Sequence, residues 1–172
     1  MGHLNIEIKA RCRDPQRVRA VLRSLGAEFR GTDHQIDTYF DVPNGRLKLR
    51  EGNIEHCLIH YRRADEAGPR EAHVTLYHPP REGNLRQVLQ AALDVRVVVD
   101  KLREIYFIDN VKFHVDRVAG LGEFVEIEAI DADRTIGRDR LLEQCRHFMS
   151  RLEIDPDDLV RRSYSDLLAE ET

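Results

Sequence analysis

Asn5-Ile6-Glu7-Ile8-Lys9-Ala10-Arg11 alternates without a break. In an extended strand, residues two apart share a face. Asn5, Glu7, Lys9 and Arg11 therefore lie on one side, and Ile6, Ile8 and Ala10 on the other. A wet face that merely meets bulk water has no need of acids and bases in a fixed order. Four further stretches repeat the pattern: Arg46-Leu47-Lys48-Leu49-Arg50, Asp100-Lys101-Leu102-Arg103, Lys112-Phe113-His114-Val115-Asp116 and Glu126-Ile127-Glu128. Together they predict polar faces turned toward one another inside a closed sheet, where bases hold a polyanion and carboxylates hold its metal.

Punctuation between these stretches sets the element order. Asp14-Pro15 opens a helix carrying Val18, Val21, Leu22 and Leu25, and Gly26 stops it. A strand follows over about 27–40, bulged near Gly31-Thr32. Pro43-Asn44-Gly45 reads as a hairpin turn, and Gly52-Asn53 turns again. Strands over 57–63 and 71–77, a helix over 85–93, and strands over 95–108, 111–118 and 124–130 complete the count. The last third is helical: Leu141, Leu142, Cys145, Phe148, Met149 and Leu152 form one stripe, and Asp155-Pro156 caps a final helix with Leu159, Leu167 and Leu168. Eight hairpin-linked strands predict an α+β fold: an antiparallel eight-stranded tunnel barrel with a polar lumen, flanked by helices, as a single domain over 1–172.

Composition limits the alternatives. The 172 residues are 34% charged, above the roughly 25% usual for soluble domains, so some charge has an internal use. A net charge of -4 gives no basic bias and argues against nucleic acid as partner. There is no apolar run of membrane-spanning length, and Met1-Gly2-His3 leads straight into the first strand; a cytoplasmic location and no membrane partner are expected. Cys12, Cys57 and Cys145 lack zinc or disulfide spacing and read as buried small hydrophobes. A homodimer is left open.

The chemistry follows from residue type. Arginine offers a planar fork and lysine a point charge to phosphate oxygens, and bases on several strands surround a polyphosphate from many sides. Glu126 and Glu128 share a face, and their repulsion is relieved by a hard divalent cation such as magnesium or manganese. The plainer readings are a solvated face for Lys48 and Arg50 and an edge-strand pair for the glutamates. His114 shares a face with Asp116, but no histidine has ligand spacing with another.

Glu7-Ile8-Lys9, Lys48-Leu49-Arg50 and the run from Asp116 through Gly120-Leu121-Gly122 to Glu126-Ile127-Glu128 resemble the CYTH superfamily, the triphosphate tunnel metalloenzymes. His34 to Phe40, Lys101 to Glu104 and Arg162-Ser163-Tyr164 with Leu167-Leu168 are similar to its class IV adenylyl cyclase branch. The resemblance implies phosphate-gripping roles for Lys9, Lys48, Arg50, Arg63, Lys101, Arg103 and Arg162. It implies metal binding by Glu7, Glu126 and Glu128, with Asp116 a further candidate, and catalytic roles for Glu7, Lys9, Glu126 and Glu128. On parity alone the fourth-strand cation is Arg62 or Arg63; the surrounding Tyr61 to Asp65 favours Arg63. The implied cofactor is Mg2+ or Mn2+, and the partner is ATP, tripolyphosphate or thiamine triphosphate, turned over by cyclisation or hydrolysis. One departure stands out: the family signature is Glu-x-Glu-x-Lys, and here the first acid is Asn5. A neutral oxygen there weakens attraction for a hard cation, and a binding module without turnover is the rival reading.

Overall fold

The computed structural model describes residues 2–170, so Met1, Glu171 and Thr172 of the expected domain lie outside the described residues. Eight strands close into a barrel: β1 (His3–Arg11), β2 (Glu28–Phe40), β3 (Arg46–Gly52), β4 (His56–Arg63), β5 (Arg70–Tyr77), β6 (Val95–Ile108), β7 (Val111–Val118) and β8 (Gly122–Asp131). Around the barrel the order is β1-β5-β4-β3-β2-β6-β7-β8, and the neighbours are antiparallel. Closure pairs every strand with two neighbours, and the later part of β1 is left unpaired on its β5 side.

Four helices flank it: α1 (Pro15–Ser24), α2 (Leu85–Ala92), α3 (Arg138–Arg151) and α4 (Tyr164–Glu170). Asp14 caps α1 by accepting the Arg17 backbone N–H at 3.1 Å, with Pro15 in the first turn. Gly26, at φ +74°, ends the segment. The register of β2 against β6 slips between Phe29 and Gly31, so the bulge falls where the sequence places it.

The main apolar core lies outside the barrel wall. Ile6, Ile8 and Ala10 of β1, Phe113 and Val115 of β7, and Val125 and Ile127 of β8 turn outward. There they pack on Val18 and Leu22 of α1 and Leu141 and Cys145 of α3. Phe113 meets Phe148 of α3 edge to face at 4.9 Å. Hydrophobic burial on the outside is what permits the inner faces of these strands to be polar.

Two features differ from the sequence expectation. Asp155-Pro156 does not start the final helix. It makes a single 3-10 turn over Pro156–Asp158, after which Leu159 is extended. β1 pairs with β5 only from His3 to Glu7, so its later edge is free to take this segment. Val160 N–H donates to Lys9 O at 2.9 Å, and Ala10 bridges Leu159. Only then does α4 begin.

Second, β4 and β5 run opposite to the other strands in polarity. Cys57, Ile59 and Tyr61, with Ala72 and Val74, form an apolar cluster facing the lumen, while Arg62, His73 and Thr75 are exposed outside. The helices pack on other strands: α3 on β1 and β8, and α4 on β6. With water outside β4 and β5, the middle of each strand turns its polar residues out and its hydrocarbon in, while Arg63 and Arg70 at the strand ends stay inside.

Candidate active site

Inside the barrel is a cavity of about 460 Å³. Alternation delivers its charged lining, because every second residue of a strand meets the lumen. β1 supplies Asn5, Glu7 and Lys9; β3 supplies Lys48 and Arg50; β4 supplies Arg63; β6 supplies Lys101 and Arg103; β8 supplies Glu126 and Glu128. These predicted positions therefore converge on one space. Arg63 Nη1 donates to Glu7 Oε1 at 2.6 Å while Arg62 is exposed on the other face, so parity resolves to Arg63.

Two predicted residues sit differently. Arg162 precedes α4 outside the lumen, half exposed, and pairs with Glu170. Its backbone lies between the segment bridged to β1 and the start of α4, and its side chain turns to the helix rather than the barrel. Asp116 lies behind the cavity wall with both oxygens committed. Arg103 Nε and Nη2 donate to it at 2.8 and 2.7 Å, and Tyr164 Oη at 2.8 Å. The geometry makes Asp116 the orienter of Arg103, not a free oxygen ligand.

Several residues in and behind the lumen wall carry no assignment from sequence. Asp37 of β2 is fully buried and takes Arg50 Nε at 2.9 Å, Arg50 Nη2 at 2.8 Å and Lys101 Nζ at 2.6 Å. Burial opposes its charge, but Arg50, Lys101 and Lys48 hold it well below the usual carboxylate range. Its alternation with Asp33, Gln35 and Tyr39 was the available signal. Glu55 comes from the β3–β4 turn, which no periodicity marks; it meets Arg50 at 3.4 Å and also pairs with Lys112 of β7. Asp33 fixes that turn by accepting the N–H groups of Ile54 and Glu55 at 2.8 and 2.9 Å. A Cβ on Gly52 would meet the Asp33 carboxylate at 2.7 Å, so only glycine lets the turn approach. Arg70, at the first position of β5, is 2% exposed and donates Nη1 to Glu66 O and Arg161 O.

The lumen has more donors than the protein satisfies. Among the described residues, Nε and Nη2 of both Arg63 and Arg70 are buried without a hydrogen-bond partner. Buried guanidinium N–H groups left unpaired are costly, and a bound anion removes that cost. Burial lowers Lys9 to about 8, with Arg63 and Arg70 adding to the drop against the pull of Glu126. Its ammonium sits 3.5 Å from the centroid of the Tyr164 ring. Burial, with Arg103 beside it, lowers His114 to about 4, which leaves it neutral.

Carboxylates occupy the β1–β8 side. Glu7 pairs in register with Glu128, and Lys9 with Glu126. Burial pushes Glu128 up to about 7, helped by the Glu7 and Glu126 charges and opposed by Lys112. Asn5 Nδ2 donates to Glu128 Oε1 at 2.6 Å, while Asn5 Oδ1 is buried without a partner. A carboxylate raised by burial and by its like-charged neighbours, and an orphaned amide oxygen, fit a hard divalent cation, which would relieve both. His114, Asp116 and Glu126 also place ligand atoms within 4.8 Å of one another. The commitment of Asp116 to Arg103 and Tyr164 makes that trio the poorer candidate.

α4 sits across one end of the barrel. Asp166 accepts Arg46 of β3 at 2.7 and 2.8 Å and Arg96 of β6 at 3.2 Å, and Ser163 and Tyr164 line the cavity there. A closed antiparallel barrel with opposed cations and carboxylates in its lumen defines a tunnel protein for an anionic ligand. The CYTH domain model matches residues 3–164, and the chain belongs to that family. A candidate adenylate cyclase of Methanocaldococcus jannaschii is 27% identical over 177 residues, covering 95% of this chain and 98% of that protein. The structure of the PH1012 protein of Pyrococcus horikoshii superposes with a TM-score of 0.77 at 25% identity, over 95% of this chain and 98% of that one. A candidate adenylyl cyclase of Hippeastrum, described as showing a dominant triphosphatase activity, has the same fold with a TM-score of 0.59 at 12% identity, over 98% and 95%.

Proposed function

We propose that this chain is a cytoplasmic, metal-dependent phosphoryl-transfer enzyme that binds a triphosphate in its tunnel. The observation that carries the reading is the set of buried, unpartnered N–H groups of Arg63, which lines the cavity with Lys9, and of Arg70, whose Nε lies 3.9 Å from the lining Glu7. Arg63, Arg70, Lys9 and Lys48 bind and orient phosphate oxygens. Arg50 and Lys101 are held in place by Asp37, and Arg103 by Asp116. Glu7, Glu126 and Glu128, with the Asn5 oxygen, are the residues that would hold Mg2+ or Mn2+. When bound, that ion supplies Lewis-acid polarisation of a phosphoryl oxygen. Burial lowers Lys9 to about 8 and raises Glu128 to about 7, which brings both toward neutral pH.

Two products share this apparatus. Attack by a ribose hydroxyl on the innermost phosphorus gives a cyclic nucleotide and pyrophosphate; attack by water on the terminal one gives phosphate and releases the remaining diphosphate. The M. jannaschii relative's name supports the first, and the description of the Hippeastrum protein supports the second. The Asn5 amide pointing at Glu128 favours a second reading, a triphosphate-binding module with a weakened metal site. Incubation with ATP, tripolyphosphate and thiamine triphosphate, with and without Mg2+ or Mn2+ and with products identified, separates them. Metal-dependent turnover of at least one supports the enzyme; tight binding without turnover supports the module; neither overturns both.

A further inference from the structure

Arg162 turns away from the lumen, yet the segment that carries it does not. Val160 N–H donates to the Lys9 carbonyl at 2.9 Å, and Asp166 accepts Arg46 and Arg96, so the chain on either side of Tyr164 is tied to β1, β3 and β6. Tyr164, the first residue of α4, therefore enters the barrel end, where it is 2% exposed and lines the cavity. A tyrosine buried so deeply needs contacts for its ring and a partner for its hydroxyl.

Ring and hydroxyl serve different cations. The Lys9 ammonium stands 3.5 Å from the ring centroid and the Lys101 ammonium 5.7 Å, both inside the roughly 6 Å over which an aromatic face attracts a cation. Phe124 meets the same ring edge to face at 5.0 Å and holds its plane. The hydroxyl donates to Asp116 Oδ2 at 2.8 Å, and Arg103 Nη2 donates to that same oxygen at 2.7 Å. Lys9 and Arg103 in turn converge, since each lies 3.4 Å from Oε1 of Glu126. One side chain of α4 thus braces two cations that face a single point of the lumen. It holds the one from β1 directly and the one from β6 through a carboxylate of β7.

We propose that Tyr164 is a positioning residue: its ring holds the Lys9 ammonium and its hydroxyl, acting through Asp116, holds the Arg103 guanidinium, so that both meet a ligand phosphate in one arrangement. The role rests on the triphosphate reading above and goes beyond it, because it assigns the Arg162-Ser163-Tyr164 motif to its tyrosine rather than its arginine. A ring that merely filled the barrel end would be replaced by phenylalanine at no cost to binding. A lysine and an arginine without this brace keep their charge but must be ordered when the phosphate binds, and that ordering lowers affinity.

The test is calorimetric titration of the full chain without divalent cation, using whichever of tripolyphosphate, ATP and thiamine triphosphate the parent binds most tightly. Tyr164→Phe keeps the ring and removes the hydroxyl, and should weaken binding about three- to tenfold. Tyr164→Leu removes both and should weaken it by roughly a further threefold or more. In a Lys9→Met background the step from Phe to Leu should shrink to within about twofold, since its effect passes through the ammonium, while the step from Tyr to Phe should persist. A role in packing alone predicts the opposite: the Phe variant binds like the parent, and the Leu variant loses as much with Lys9 as without it. Either of those results overturns the role and leaves the triphosphate site standing. Where Tyr164→Leu fails to fold, Tyr164→Phe decides by itself, because it removes a single oxygen and keeps the packing. Binding of none of the three ligands by the parent overturns the role and the triphosphate reading together.

Discussion

Asn5 decides how strongly this lumen attracts a cation. Its amide caps Glu128, and a glutamate there would add a charge beside Glu7, Glu126 and Glu128. Two unit charges about 4 Å apart near a protein surface interact by about 4 kcal/mol at most. Asn5→Glu should therefore tighten Mg2+ or Mn2+ binding by roughly tenfold or more and raise metal-dependent turnover; a titration showing unchanged metal affinity would contradict the account of this position. Glu126 tests the division of labour. It faces Lys9 and Arg103 at 3.4 Å each, and Lys9, Arg103 and His114 hold it well below the carboxylate range against the cost of burial. Glu126→Ala should lower kcat at least about 100-fold, no less than loss of an outer-shell metal partner costs. Triphosphate affinity should change by only a few-fold, and equal loss of both would refute the assignment.

Among the elements, β1 was the most legible, because its alternation states both faces and the helices bury the apolar one. β4 alternates less cleanly, with Leu58-Ile59 and Arg62-Arg63 adjacent, and sequence does not say which face is inside. That depends on which strands the helices cover, a tertiary fact. The Arg162 side chain departs from the expected lumen position for a related reason: its motif is local, but its direction is set by the backbone that bridges Leu159 to β1 before α4 starts. Arg162→Ala should leave triphosphate affinity within about twofold of the parent, since an exposed ion pair contributes little. A tenfold loss measured by calorimetry would return that side chain to the site. Glu55 and Arg70 were illegible because a turn and a strand end carry no period.

Across the molecule, the charged lumen is one network. Asp37 joins Arg50, Lys101 and Lys48, and its removal would leave two buried cations and the half-buried Lys48 facing one another. Asp37→Asn should cost about 3–5 kcal/mol in denaturant-induced unfolding, the range for breaking one side of a buried pair. The pH dependence follows with a definite sign. Asp37 and Glu126 are depressed when folded, so their contribution is present above their unfolded values, near 4. It is lost as pH falls through the folded values. Between about pH 7 and 5 the neutral His114 costs stability as pH falls while protonation of Glu128 returns it, and the steep drop should come below roughly pH 4; unchanged stability below that pH would contradict the network. Everything turns on whether the lumen is where a triphosphate resides. A crystal structure of the full chain with a slowly hydrolysed triphosphate tests this directly. The phosphates should lie inside the barrel within hydrogen-bond reach of Arg63, Arg70 and Lys9; phosphates bound on the outer surface, with the lumen holding only water, would contradict the account.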